Sequence, residues 1–288
     1  MIDPSVARLR FSRAAASYAA ATRLEREIGT RLLERLDLVK LAPRRVLDLG
    51  CGPAREARSL AARFPDAQLL LLDFALPMLR LARPARGLLA RLGGRREVGA
   101  LCADFSRLPL AGASVGLAFS NMALHWAREP LAVLRELHRV LAVEGLLTFS
   151  TLGPDTLKEL RAAAGTARVH AFADMHDLGD MLLAAGFDAP VMDMERVSLL
   201  YEDAQALLGD LRSSGQTSAL ETRARGLAGR SFRTALVAAL ERGRRDGRFP
   251  VTFEVLYGHA WKPAPARAAD GRAVMRFQRR PKNGLPPR

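Results

Sequence analysis

The stretch Val46–Ala54 reads VLDLGCGPA and decides the fold. It begins as a short apolar run of the kind that forms a buried strand, and it continues directly into a turn that holds Gly50 and Gly52. Glycine has no Cβ and accepts backbone conformations closed to other residues, so a ligand can approach the chain closely at such a turn. A strand followed by this turn is typical of the ligand-binding edge of a parallel α/β sheet.

Apolar segments of strand length alternate with segments of helical periodicity along most of the chain. The segments predicted as strands are 45–49, 68–73, 98–103, 114–120, 145–151, 191–200 and 252–259. The segments predicted as helices are 5–38 (one or two helices), 56–64, 77–82, 130–141, 155–164 and 177–185. This order predicts an α/β, Rossmann-like fold with a seven-stranded, mostly parallel sheet and helices on both faces.

The predicted domain covers residues 1–263 and contains one long insertion. The helical, arginine-rich segment 201–249 lies between the last two predicted strands, close to where ligands bind in open α/β sheets, so we expect a substrate-facing lid. A packing helix without a binding role is the alternative. The tail 264–288 is basic and lacks periodicity, so we expect it to be disordered.

Composition limits the cellular setting and the partners. The two cysteines, Cys51 and Cys102, form no CxxC pair and no metal-ligand spacing, which favours reduced thiols and no metal site. No apolar stretch reaches membrane-span length and the N-terminus lacks the apolar core of a signal peptide, so we expect a cytoplasmic protein without a membrane partner.

The net charge of +14 is unevenly placed. Residues 223–248 hold eight arginines against two acids, which makes docking of an acidic macromolecule plausible, although solvated arginines on helix faces would give the same pattern. Charge alone suggests RNA methylation. The sequence has no recognised RNA-binding module, so we do not expect a nucleic-acid partner.

Four features, each placed at the end of a predicted strand, agree in order and spacing with a binding site for S-adenosylmethionine. A carboxylate about twenty residues after the glycine turn can accept hydrogen bonds from both ribose hydroxyls, and one at the next strand end can accept from the adenine amino group. The candidate cofactor-binding residues are Asp48, Gly50, Gly52, Asp73, Phe74, Asp104, Phe105, Ser120 and Asn121.

A dinucleotide site is the competing interpretation of the glycine turn. It requires the pattern GxGxxG, but from Gly50 the chain reads GCGPAR and places Arg55 at the sixth position. S-adenosylmethionine is therefore favoured over NAD. One departure from the usual methyltransferase pattern is Ala54, which stands where a third glycine is common and whose effect on cofactor affinity the sequence leaves open.

Longer motifs carry a closer resemblance. They are TLGPDTLKELR (151–161), FADMHDLGDMLLAAGF (172–187), FEVLYGHAWKP (253–263), FSRAAASY (11–18) and SNMALHW (120–126). Over about residues 8–263 the chain resembles the malonyl-acyl-carrier-protein O-methyltransferases of biotin synthesis, the BioC family. The resemblance implies a class I S-adenosylmethionine-dependent methyltransferase that esterifies the free carboxylate of a malonyl thioester on acyl-carrier protein.

The resemblance also suggests two catalytic candidates. A malonyl carboxylate is ionised at neutral pH and needs no general base, so the enzyme must chiefly position it and exclude water. A tyrosine hydroxyl can orient the carboxylate without quenching it, and Tyr18 is that candidate. His125 is expected to line the methyl-transfer pocket. The alternatives, an aromatic anchor at Tyr18 and a packing histidine at His125, stay open.

Two other functions fit the same sequence features. Relatives that assist complex I assembly share the DTL-ELR and LHW features and modify a protein arginine. The chain could also be a methyltransferase-fold assembly or binding protein without turnover. The sequence does not decide between carrier-protein and coenzyme A thioesters, the arginines that contact the substrate or carrier, or the oligomeric state.

Overall fold

A single seven-stranded sheet organises the molecule. The structure is a computed structural model of the chain and describes residues 1–82, 98–223, 226 and 229–265. The strands are β1 (Arg45–Leu49), β2 (Gln68–Asp73), β3 (Val98–Cys102), β4 (Val115–Ser120), β5 (Leu141–Leu152), β6 (Asp188–Tyr201) and β7 (Phe249–Trp261). Their order in the sheet is β3-β2-β1-β4-β5-β7-β6. The pairs from β3 to β5 are parallel and β7 is antiparallel to both neighbours, which confirms the predicted mostly parallel sheet.

Helices cover both faces of the sheet. They are α1 (Pro4–Ala21), α2 (Arg23–Arg35), α3 (Ala57–Arg63), α4 (Leu76–Leu81), α5 (Pro130–Val140), α6 (Lys158–Ala164), α7 (Met175–Ala184), α8 (Ala204–Ser213) and α9 (Arg230–Glu241). Successive residues of β1 alternate between the two cores. Val46 belongs to the same buried cluster as Ile28 of α2, whereas Leu47 belongs to the cluster that contains Leu137 of α5. Burial on both faces is the reason why the parallel strands read as continuous apolar runs.

The predicted segment 5–38 is two helices followed by a 3-10 turn at Leu36–Leu38. The chain breaks at Thr22, whose hydroxyl donates to the Tyr18 carbonyl at 2.7 Å and so competes with the helical pattern. The predicted helix 155–164 begins only at Lys158. The preceding Leu157 has a left-handed φ of +55° and interrupts the helical backbone.

The last two strands are longer than the sequence predicts. β6 and β7 pair from Tyr201↔Phe249 to Asp188↔Trp261, so the predicted ends at 191–200 and 252–259 fall short by a few residues. β6 lies at the edge of the sheet and its residues alternate between exposed and half-buried positions. The prediction missed the first three residues, because Asp188 and Pro190 interrupt the apolar pattern and are uncommon in strands.

The segment between β6 and β7 contains α8 and α9 and contacts the N-terminus. Ser17 of α1 donates its hydroxyl to the Ser213 carbonyl at 2.7 Å, and Ile2 forms an isolated antiparallel bridge with Leu220. The predicted tail lies outside the described residues from 266 onward. Of the helices in the described ranges, none is long and apolar enough to cross a membrane.

Candidate active site

The glycine turn after β1 has the backbone shape that its sequence predicts. Gly50 and Gly52 have φ of +71° and +52°, in the left-handed region that favours glycine. The Gly50 and Cys51 amides donate to the Leu72 carbonyl at 2.8 and 3.0 Å and fix the turn against β2. A Cβ on Gly50 would stand 2.4 Å from the Cβ of Ala123, so no larger residue fits without rearrangement.

Ala54 continues this turn with a φ of +59°. The residue is buried and its methyl group packs in the core beside β1. A left-handed alanine is strained by roughly 1–2 kcal/mol relative to its ordinary conformation. The backbone at this position therefore suits the glycine that the general methyltransferase pattern has there.

Asp73 at the end of β2 holds a buried carboxylate against the turn. One oxygen accepts from the Gly52 amide at 2.9 Å and the other accepts from the Ala75 amide at 2.8 Å. Burial raises the pKa of Asp73 to about 6, while these backbone hydrogen bonds act in the opposite direction. The two carboxylate oxygens accept about four hydrogen bonds in all, and three backbone amides, those of Gly52, Ala75 and Phe74, act on Asp73, so capacity remains for a ribose hydroxyl.

Asp48 brings a second buried carboxylate to the turn. Within the described ranges its Oδ2 atom is buried and has no hydrogen-bond partner. Burial, reinforced by the charges of Glu56 and Asp73, raises the pKa of Asp48 well above its usual range. A ligand that carries a cationic donor would satisfy this oxygen, and the amino group of S-adenosylmethionine is such a donor. The turn and its acids therefore fit this cofactor.

A small cavity of about 40 Å³ opens on the turn. Ordinary small-molecule sites measure roughly 300 Å³ or more, so this cavity is tightly covered. Phe11 and Tyr18 of α1 form part of its cover, and the Phe11 ring packs 5.9 Å from the ring of Phe74. The predicted residues that line it are Tyr18, Gly50, Gly52, Asp73, Phe74, Phe105 and Asn121.

Tyr18 lies over the turn. A Cβ on Gly52 would stand 3.6 Å from Tyr18 Cε1. Burial raises the pKa of Tyr18 well above its usual range, and the charges of Glu25 and Asp73 add to the effect. The phenol is therefore protonated at neutral pH and can donate. Nothing in the described part of the chain forms a hydrogen bond with it.

The polar residues at the carboxyl end of β4 form hydrogen bonds within the fold more than they line the cavity. Ser120 is fully buried and donates to the Leu49 carbonyl at 3.1 Å, and its side chain does not line the described cavity. The Asn121 amide lines the cavity but donates to the Glu25 carbonyl at 2.8 Å and to Glu56 at 3.2 Å. Its oxygen accepts from the Ser150 hydroxyl at 2.7 Å. Asn121 thus connects α2 with the ends of β4 and β5 through hydrogen bonds.

Asp104 is exposed and caps its own turn by accepting from the Ser106 amide at 2.7 Å. Its neighbour Phe105 lines the cavity, whereas Asp104 does not. Residues 83–97, which precede β3, lie outside the described part of the chain. The predicted contact of Asp104 with adenine therefore stays a prediction.

A second, larger cavity of about 400 Å³ lies beside the first, and Trp126 lines both. Most of its wall is apolar and comes from the segment after β5 and from the insertion. Its apolar walls are formed by Leu152, Leu157, Leu160, Phe172, Leu236 and Phe253. Because Trp126 lines both cavities, the larger one lies next to the cavity at the glycine turn. A substrate site has to lie next to the cofactor site in this way.

Two neutral histidines stand at the end of the larger cavity near Trp126. Burial, with a smaller contribution from the charge of His170, lowers the pKa of His125 to about 3. Burial, followed by the charge of Arg10, lowers the pKa of His170 to about 4. Nε2 of His170 accepts from the Ala219 amide at 2.9 Å, so its proton is assigned to Nδ1. Nδ1 of His125 has no partner among the residues that the structure describes.

Sequence reasoning missed most of the polar residues of this cavity. Arg10 directly precedes the FSRAAASY motif, and that proximity is the one local signal for it. His170, Thr217 and Ser218 line the same cavity as Arg10 only because the chain folds back, since all three are far from α1 in the sequence. Among the described residues, no group of three or more His, Cys, Asp or Glu side chains is placed to hold a metal ion.

Comparison with known proteins agrees with this geometry. A family model described as a methyltransferase domain matches residues 47–149. The malonyl-acyl-carrier-protein O-methyltransferase of Methylovorus sp. (strain MP688) is 50% identical and the match covers 97% of this chain and 96% of that protein. The protein of the same name from Laribacter hongkongensis (strain HLHK9) is 49% identical, with 96% of each chain covered.

The chain belongs to the malonyl-acyl-carrier-protein O-methyltransferase family. The resemblance predicted from the motifs is thereby confirmed. These relatives are named as O-methyltransferases of malonyl-acyl-carrier protein and lend nothing to an arginine-modifying or scaffold function.

Solved structures confirm the fold of this methyltransferase. YcgJ from Bacillus subtilis aligns with a TM-score of 0.59 at 14% identity and covers 82% of this chain and 99% of its own. The cyclase SpnF aligns with a TM-score of 0.51 at 21% identity and covers 82% of this chain and 80% of its own. At such identities the likeness concerns the fold alone, and the reaction has to be argued from the site.

Proposed function

We propose that this methyltransferase transfers a methyl group from S-adenosylmethionine to the free carboxylate of a malonyl thioester on acyl-carrier protein, in the cytoplasm, for biotin synthesis. The observation that carries the proposal is the shared wall at Trp126. On one side of this residue lies the cavity at the glycine turn, and on the other lies an apolar cavity of about 400 Å³. A carboxylate at the inner end of the apolar cavity would therefore lie close to the cofactor.

The turn and the strand ends would hold the cofactor. Asp73 would receive the ribose hydroxyls, Asp48 would receive the amino group, and Phe74 and Phe105 would lie on the adenine side of the site. Gly50 and Gly52 have no side chains, so the methionine part of the cofactor would have room close to the backbone of the turn. When bound, S-adenosylmethionine supplies a methyl group on a sulfonium that is already a good leaving group.

The protein's own task is to position the substrate carboxylate. Its oxygen is already ionised, so the enzyme needs no base and gains rate chiefly from orientation in a site that excludes water. Tyr18 donates one hydrogen bond and leaves most of the charge of the carboxylate available. His125 is neutral, lines the larger cavity and acts as a positioning residue. Neither role requires a charged protein group on the reacting oxygen.

Acyl-carrier protein would approach from the side of the insertion, which we assign as a lid of about residues 201–249 on a single domain of residues 1–263. Three exposed arginines, Arg168, Arg212 and Arg233, stand at the cavity there. The Arg168 guanidinium stacks 3.9 Å above the ring of Phe232 and is held in place. Such a cluster steers an acidic partner towards the cavity.

Genetic rescue tests the proposal. The chain is expressed in a biotin-requiring bacterial strain that lacks its malonyl methyltransferase, and growth without biotin is measured. We expect rescue by the wild type and weak or no rescue by Gly50→Ala, which places a methyl group against Ala123. Failure of a well-expressed, folded wild-type chain would contradict the proposal.

A further inference from the structure

Arg10 of α1 is a cation without a counterion among the residues that the structure describes. Its Nη1 atom donates to the Thr217 hydroxyl at 2.5 Å, and no carboxylate of the described ranges pairs with it. The side chain is half-buried, and burial together with the charge of Arg223 lowers its pKa. A guanidinium that is partly removed from water and unpaired is unfavourable, so its place in the fold calls for an anionic partner.

The other titratable groups that the structure describes around Arg10 do not balance its charge. Arg223 has its own acid, since its Nη1 atom lies 3.4 Å from Asp3 Oδ2, and it also donates to the Leu220 carbonyl. His170 stands nearby and is neutral at pH 7, because its pKa is lowered to about 4. The unbalanced positive charge at this end of the cavity is therefore that of Arg10.

The position of Arg10 selects which part of a substrate it meets. Arg10 lines the large apolar cavity, and the next residue, Phe11, lines the cavity at the glycine turn. Phe11 packs edge-on against Trp126, the shared wall, with ring centroids 5.0 Å apart. Arg10 is thus next in the chain to a residue that packs on the shared wall, whereas the exposed Arg168 and Arg233 are suited to the phosphate of a carrier arm.

The hydrogen bond to Thr217 leaves Arg10 suited to donate one further hydrogen bond to a ligand, rather than two parallel ones. Thr217 engages one of its terminal nitrogens, which leaves the other free. Ser218, the next residue, also lines the cavity and its hydroxyl is buried without a partner in the described chain. A serine hydroxyl reorients through one torsion and can add a second donor.

From these contacts we infer that Arg10, supported by Thr217 and Ser218, binds the non-reacting oxygen of the free carboxylate and makes the enzyme select dicarboxylic thioesters over neutral acyl thioesters. Tyr18 lines the cavity at the glycine turn and Arg10 lines the larger cavity, so a carboxylate at their shared wall, Trp126, would meet one donor from each side. The inference rests on the proposed function, because it assumes a malonyl thioester in this cavity.

The test compares binding of three carrier proteins that differ in charge at the acyl end: malonyl, malonyl methyl ester and acetyl. Dissociation constants are measured with the wild type, Arg10→Gln and Arg212→Gln, in the presence of S-adenosylhomocysteine. We expect the wild type to bind the malonyl form about 30-fold more tightly than the ester, as loss of a partly buried charge pair implies. Arg10→Gln should remove this preference, and Arg212→Gln should weaken all three forms alike.

Arg10→Lys provides a second variant if Arg10→Gln does not fold. It keeps the charge and should retain most of the malonyl preference with a higher dissociation constant. A wild type without preference, or an Arg10→Gln protein that keeps it, would overturn the inference. Label transfer from S-adenosylmethionine in the wild type is measured separately, and its absence would instead overturn the proposed function.

Discussion

The ring of Tyr18 lies against Gly52, so that a Cβ on the glycine would stand 3.6 Å from Tyr18 Cε1. The contact joins the first helix of the chain to the turn after the first strand. It places a protonated phenol, whose pKa burial has raised, in the small cavity at the glycine turn.

Tyr18→Phe tests the phenol without removing the ring. We expect kcat/KM for malonyl carrier protein to fall by about 10- to 100-fold, as loss of a hydrogen bond to a charged group implies, while cofactor affinity changes little. Tyr257→Phe is the matched control, because its hydroxyl donates to Glu195 away from both cavities. Unchanged turnover in Tyr18→Phe would leave Tyr18 only its packing role.

Gly50→Ala tests the turn itself. Alanine at this position meets both a φ of +71° and a contact of 2.4 Å with Ala123. Gly247→Ala is the control, since Gly247 has a φ of +73° and nothing within 4 Å of an added Cβ. We expect a loss of unfolding free energy of about 1–2 kcal/mol for Gly247→Ala and roughly 3 kcal/mol or more for Gly50→Ala. Only the second should abolish cofactor binding. Equal losses would contradict a tight turn.

The raised pKa of Asp73 predicts a specific dependence of the unfolding free energy on pH. Its folded-state pKa of about 6 lies above the ordinary 3.8, so the folded state binds the proton more tightly and gains stability as the pH falls through about 6. Relative to Asp73→Asn, the wild type without ligand should gain about 1 kcal/mol between pH 7 and pH 5, and about 2 kcal/mol by pH 4.

Urea unfolding of both proteins at each pH measures this difference. The comparison is needed because His125 and His170 act in the opposite sense. Their pKa values are lowered to about 3 and 4, so they withdraw stability as the pH falls below about 6.5. Both histidines are present in the two proteins and cancel. Parallel stability curves for wild type and Asp73→Asn would show that burial does not perturb Asp73.

Asn121→Ala tests whether this residue belongs to the framework. The change removes partners from the Glu25 carbonyl, Glu56 and the Ser150 hydroxyl. We expect a loss of about 2–4 kcal/mol of unfolding free energy, because buried groups are left unsatisfied. Ser114→Ala, which removes an exposed turn hydroxyl, should lose less than about 1 kcal/mol. A fully stable Asn121→Ala protein with lost turnover would instead place Asn121 at the methyl group.

The sheet and the cofactor turn could be predicted from the sequence because their signals are local. Apolar runs such as Gln68–Asp73 are buried on both faces, and the glycines of the turn mark its left-handed backbone. The edge strand β6 was harder to delimit, since Asp188 and Pro190 at its start interrupt the apolar pattern. Ser120 looked like a pocket residue by position, but its side chain turns to the Leu49 carbonyl, and sequence does not report rotamers.

The substrate side of the site could not be predicted in the same way. Arg10 and Thr217 are 207 residues apart and meet because the insertion folds back on α1. Pairings of this kind depend on packing, and a single sequence contains no local pattern for them. The motifs predict the family. The neutral histidines, the unpaired Arg10 and the position of Trp126 between the two cavities are evident only in the structure.

The most direct test of the account is methyl transfer itself. The protein is incubated with methyl-labelled S-adenosylmethionine and purified malonyl, succinyl or acetyl carrier protein, and label on each carrier is counted before and after mild base. We predict base-labile label on the malonyl carrier, less on the succinyl carrier and none on the acetyl carrier. Cofactor binding without label on malonyl carrier protein would contradict the account.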